Sequence, residues 1–141
     1  MRVACDPDKP DLAVVLELGP FAPRAARHHV AQVDKPSPDL RDAAVLLTSE
    51  LVTRAVECCR DGGPIELRVW MPHDVVRVEM HGPDAVLAHP RDEASVYSSL
   101  VLDQVADRWE LEPRDSSACI WFEIDRHAAG DRDYAGHASA R

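Results

Sequence analysis

Aromatic residues make up only 5% of this chain, so aliphatic and alanine packing has to fill whatever core it forms. Lysine occurs only at Lys9 and Lys35 while arginine is common. With abundant Ala, Val, Asp and Pro, that bias points to a high-GC bacterial genome. Basic charge is also in deficit, and the formal net charge is -9. A binder of phosphate backbones needs a basic face, so no nucleic-acid partner is expected. Acidity of this kind suits a basic protein partner through long-range steering, or simply keeps the chain soluble. No apolar run approaches the roughly 20 residues that span a bilayer. Asp6, Asp8, Lys9 and Asp11 interrupt any apolar signal core near the first residue, so a cytoplasmic protein without membrane contact is expected. There are four cysteines, Cys5, Cys58, Cys59 and Cys119, with no C-x-x-C pair among them. Their spacings match no zinc site, and they read as reduced, small core residues with no metal expected.

What is present is enough for one domain. The 141 residues, 45% hydrophobic and 29% charged, can bury a core without disulfides. Residues 1–11 are polar and proline-punctuated and read as a flexible N-terminus. Leu12 to Leu18, with Val14 and Val15 at its centre, reads as a strand. Pro23 suits the first turn of a helix running to about Val33, with Ala26, Val30 and Val33 on one face. After the linker Lys35-Pro36-Ser37-Pro38 comes the clearest element. Ser37 can cap a helix that Pro38 opens, and Asp39 and Asp42 lie near its positive end. Leu40, Ala44, Leu47, Leu51, Ala55 and Cys58 form its apolar stripe. The opposite face carries Glu50, Arg54, Glu57 and Asp61, and Gly62-Gly63 ends it.

Alternation predicts strands over Ile65–Met71 and Val75–Met80, joined as an antiparallel hairpin through Pro72-His73-Asp74. Residues 82–94 read as a loop, and 95–108 as a helix. Trp109–Glu112 and Cys119–Ile124 read as closing strands. From Arg126 the tail, 126–141, reads as disordered. The order β-α-α-β-β-loop-α-β-β implies an α+β fold: a two-layer sandwich with a mixed, mostly antiparallel sheet of four to five strands and helices on one face.

Four segments in this order resemble the histidine-kinase-like ATPase family, and within it the anti-sigma-factor serine kinases and their short actinobacterial relatives. Ser49-Glu50-Leu51-Val52-Thr53-Arg54-Ala55-Val56 resembles the family's S-E-L-V-T-N-A-V. Val78-Glu79-Met80-His81-Gly82-Pro83-Asp84 resembles V-E-V-x-D-P-D. Ala106-Asp107-Arg108-Trp109 resembles the A-D-R-W that follows the third helix, and Ile120-Trp121-Phe122-Glu123 the final V-W-F-E strand. The resemblance covers roughly residues 12–125 and implies a single domain over that span.

The departures fall where the family holds nucleotide. Its Mg²⁺-coordinating asparagine corresponds to Arg54, and its adenine-binding aspartate to Gly82. The G-R-G-L that approaches the phosphates corresponds to Val96-Tyr97-Ser98-Ser99, and the G-K-T before the last strand to Ser117-Ala118-Cys119. The nucleotide-facing positions implied here are thus Arg54, Gly82, Asp84, Ser98, Ser99 and Ala118. A guanidinium cannot replace an oxygen ligand on Mg²⁺. Gly82 has no acceptor to offer adenine, and Asp84 lies two residues beyond the lost acid, after Pro83. Side chains at 96 and 98 crowd a backbone that should come close to phosphate. Three losses of about 2 kcal/mol each would lower affinity by roughly four orders of magnitude.

Glu50 matches the family's general base, which takes the proton of a protein serine. It can equally form an intrahelical ion pair with Arg54 at i, i+4, and Arg54 can pair with Glu57. The resemblance with its departures implies a regulatory protein that acts by protein–protein contact, with no cofactor and with kinase activity lost. A sigma factor or an anti-anti-sigma factor is the implied partner, and homodimerisation is compatible with the family. Two alternatives stand beside this reading. One is an active serine kinase that still binds Mg-ATP. The other is a small-anion sensor with Arg54 as its anchor. Outside these positions, His28 and His29 read as solvent-facing polar residues and His73 as a turn residue, while His81 stands where the resembled family tolerates many residues. Tyr97 with Trp109 or Trp121 reads either as edge packing or as an aromatic anchor for a partner.

Overall fold

The computed structural model describes residues 9–33, 38–72, 75–87 and 100–125. The chain runs β1 (Leu12–Glu17), α1 (Ala22–Gln32), α2 (Pro38–Cys58), β2 (Pro64–Trp70), β3 (Val75–Pro83), a 3-10 turn (Asp84–Leu87), β4 (Arg108–Arg114) and β5 (Ser117–Asp125). Residues 100–105 are helical as well. The result is the α+β architecture expected from the sequence. The sheet has five strands in the order β1-β2-β3-β5-β4. Every pairing within it is antiparallel, so the mixed sheet allowed for from the element order gives way to a uniform one.

Alternation explains the two layers. Ile65, Leu67 and Val69 of β2, Val76, Val78 and Met80 of β3, and Ile120, Phe122 and Ile124 of β5 all point to one face and are buried. Leu40, Ala44, Leu47, Leu51 and Ala55 of α2 and Ala26 and Val30 of α1 complete the same core. The apolar stripe of α2 ends on Cys59, which is buried, whereas Cys58 is half-buried. α1 packs along α2, and α2 packs on β3 and β5. With two sides of α2 in contact, its buried set is wider than one stripe and takes in Thr48, Val52 and Arg54. Gly62 and Gly63 follow the helix with φ of 78° and 111°, and the Gly62 amide donates to the Cys59 carbonyl at 2.9 Å. Only glycine adopts such angles cheaply, so the pair turns the chain into β2.

Several boundaries differ from the sequence reading, among them the end of β2 at Trp70 and not Met71 and the start of β5 at Ser117. Asp11 does not belong to a loose N-terminus. Its amide donates to the Val69 carbonyl at 2.7 Å, and its carboxylate accepts from the Met71 amide at 2.6 Å. Gly82 and Pro83 are not loop but the end of β3, because Gly82 and Ala118 face each other in the ladder and Pro83 faces Ser117. The helix expected to reach residue 108 stops at 105. There the Asp107 amide turns to the Glu123 carbonyl at 2.9 Å, and the Asp107 carboxylate accepts from the Asp125 amide at 2.7 Å. β4 therefore starts at Arg108 and is longer than expected. The turn residues His73 and Asp74, the linker residues 34–37, the start of the third helix and the tail from Arg126 lie outside the described residues.

Candidate functional site

The positions singled out in the sequence fall into two groups. Gly82 of β3 lies directly across from Ala118 of β5, and Asp84 opens the 3-10 turn that follows. That turn packs against α2 and β5. Burial, then the neighbouring Cys58 and the Asp84 carboxylate, push the Cys59 thiol up from its ordinary pKa, so Asp84 sits by the C-terminal end of α2. Glu50 and Arg54 belong to the helix layer, one turn apart on α2. The register joins Gly82 and Ala118 alone, and Ser98, Ser99 and Tyr97 lie outside the described residues.

Arg54 needs a correction. It was placed on the polar face of α2, yet it is 5% exposed. α2 meets α1, the sheet and the 3-10 turn, so flanks that a single-stripe helix would leave in water are covered. Glu50 remains half-buried.

The sequence reading missed the outer face of the sheet as a site. Residues that face each other across the ladders share a side, so the registers define rows. One row runs Glu66, His81, Cys119, Glu112 and the next runs Arg68, Glu79, Trp121, Glu110. A third runs Trp70, Arg77, Glu123, Arg108. Charges interlock along these rows. Arg77 Nε donates to Glu79 Oε2 at 2.8 Å, and Arg77 Nη1 donates to Glu123 Oε2 at 2.7 Å. Arg108 Nε donates to Glu123 Oε1 at 2.8 Å, and its other end grips the Asp125 carboxylate. Bonds to Asp125 and then to Glu123 raise the Arg108 pKa. Glu123 is buried, and Arg77 and Arg108 compensate its charge. This is what a buried carboxylate requires.

The tryptophans divide between the faces. Trp109 pairs with Phe122 and packs against the core, while Trp121 lies on the outer face. The Trp109 indole N–H donates to Asp103 at 2.7 Å, and that of Trp121 to Glu112 at 2.8 Å. Indoles in contact with the fold commonly pair their N–H in this way.

Within the rows, three residues of metal-ligating type converge. The potential ligand atoms of Glu79, His81 and Cys119 all lie within 4.8 Å of one another. His81 Nε2 is 2.7 Å from Glu79 Oε1 and 3.8 Å from Cys119 Sγ. Hydrogen bonding to Cys119, and next to Glu79, outweighs burial and lifts the His81 pKa to about 9. Burial alone would push Glu79 up, but bonds from His81 and Arg77 hold its carboxyl below the ordinary value. Glu79 and His81 are partly open to solvent, and Cys119 lies beneath them, fully buried.

Compared with known proteins, the chain matches no family model and no curated protein. Among the described residues no helix is long and apolar enough to cross a membrane.

Proposed function

We propose that this chain is a cytoplasmic regulatory protein of the histidine-kinase-like ATPase type, of the anti-sigma-factor kinase branch, that works through contact with a protein partner and has given up ATP. The observation that carries the reading is the pairing of Gly82 with Ala118. At the two strand positions where the resemblance places an adenine acceptor and a phosphate-binding turn, neither residue has a polar side chain to present. Arg54, at the position of the metal-binding asparagine, is a buried cation, which repels Mg²⁺ instead of ligating it. The acidic balance of -9 favours encounter with a basic surface on the partner. By the same resemblance that partner is a sigma factor or an anti-anti-sigma factor.

Calorimetric titration with ATP and ADP, with and without Mg²⁺, tests the loss of nucleotide. The expected result is no saturable heat up to millimolar nucleotide. Micromolar binding would overturn the reading and support the active kinase instead. Glu50→Gln would then be the variant to assay for loss of phosphotransfer to a protein serine.

A further inference from the structure

We propose that Glu79, His81 and Cys119 form a binding site for a divalent transition-metal ion of the zinc class on the outer face of the sheet. The three donors are an oxygen, an imidazole nitrogen and a sulfur, a set that suits a borderline-soft ion and not Mg²⁺ or Ca²⁺. Strand geometry brings them together. Glu79 and His81 are two apart on β3 and so share a face, and the register sets Cys119 directly opposite His81.

The spacing fits. Tetrahedral zinc with bonds of about 2.3 Å to sulfur and about 2.0 Å to nitrogen and oxygen holds sulfur and nitrogen about 3.6 Å apart, and nitrogen and oxygen about 3.3 Å apart. The corresponding separations here are 3.8 Å and 2.7 Å. A small rotation of the Glu79 carboxylate opens the second gap. In the metal-free arrangement a proton bridges His81 Nε2 and Glu79 Oε1, and the ion takes that proton's place and also displaces the Cys119 thiol proton, both going to water.

Charge and support agree with the ligand set. A thiolate and a carboxylate balance a divalent ion, with neutral imidazole as the third ligand. Arg77 binds Glu79 through Oε2 and leaves Oε1 facing His81. Its own charge is met by Glu123, so it orients the carboxylate in the manner of a second-layer partner. Of the other charged neighbours, Arg68 faces Glu79 from β2 and is bonded to Glu66, which faces His81, at 3.0 Å. Glu112 faces Cys119 from β4 and is bonded to Arg114 at 3.0 Å. Three protein ligands leave a fourth position on the solvent side for water or for a group supplied by a partner.

The test is titration of the full chain with Co²⁺ alone, followed by competition with Zn²⁺. One equivalent should produce a thiolate-to-cobalt charge-transfer band and the intense visible bands of a tetrahedral ion, both abolished by Zn²⁺. Cys119→Ser should remove the charge-transfer band. Because Cys119 is buried, His81→Gln serves as the second variant. It lies at the surface, so the fold is retained by circular dichroism while cobalt affinity falls more than the about 10–100-fold typical of losing a supporting residue. Cys58→Ser should leave the spectrum unchanged. Absence of a cobalt spectrum from the unmodified chain would overturn the site and leave a hydrogen-bonded triad. A spectrum that survives His81→Gln or depends on Cys58 would overturn it as well. Nucleotide titration is indifferent to each of these outcomes, so this site and the proposed function fail separately.

Discussion

The Arg77 guanidinium lies 4.3 Å from the centre of the Trp121 ring. This stacking fixes the plane of the fork that reaches Glu79 on its own strand and Glu123 on β5. Arginine is suited to that task because its planar head stacks and donates at the same time, whereas a lysine ammonium acts as a point charge.

Arg77→Ala should therefore destabilise the protein by about 2–4 kcal/mol, since Glu123 stays buried and loses one of its hydrogen-bonded cations. Arg77→Lys should recover less than half of that loss. Urea unfolding followed by circular dichroism measures both, provided the slope with denaturant is unchanged. A loss below about 0.5 kcal/mol for the alanine variant would mean that the partners left to Glu123, Arg108 among them, suffice for its charge.

Thr48 lies in α2 with no exposed surface, and its hydroxyl has no hydrogen-bond partner among the described residues. An unmade bond of that kind costs about 1–3 kcal/mol. Thr48→Val keeps the branched shape and removes the hydroxyl, so it should raise stability by about 1 kcal/mol. Thr48→Ala should instead lower it, because it leaves a cavity. Thermal unfolding of the two variants side by side distinguishes hydroxyl from packing, and a drop in both would show that the hydroxyl is satisfied in solution.

His81 links stability of the metal-free protein to pH. Its pKa in the fold is about 9, raised above an unfolded value of about 6.5. The folded state thus holds the proton more tightly, and the stabilisation is complete below the unfolded pKa. It fades as pH climbs through the window between the two values and is lost above the folded one. The melting temperature in the presence of a chelator should fall across that window, and His81→Gln should flatten the fall. Titration of the His81 ring protons by NMR reads the pKa directly. A value below about 6.5 would contradict the bonding to Cys119 and Glu79.

Much of the architecture was legible in the chain. Period-two alternation in Ile65–Met71, Val75–Met80 and Cys119–Ile124 named both the strands and their buried face, because adjacent side chains of a strand must point oppositely. Spacing of three and four from Leu40 to Ala55 named the main helix, and Gly62-Gly63 its end. The boundaries that moved did so for long-range reasons. Asp11, Gly82 and Asp107 are ordered by partners at Val69, Ala118 and Glu123, and no local propensity reports a partner so far along the chain.

The same division holds for function. Local identity decided that Arg54, Gly82 and Ala118 stand at the positions where the family resemblance places nucleotide contacts, since that inference needs only residue type and order. Burial of Arg54 was decided by tertiary structure, because α2 is covered by α1, the sheet and the 3-10 turn together. Sequence alternation put Glu79 and His81 on one face of a strand. Only the antiparallel pairing of β3 with β5 added Cys119, 38 residues away, to complete a three-ligand cluster. Strand register is set by which faces the whole sheet can bury, so that juxtaposition exists in the fold and not in any local stretch of the chain.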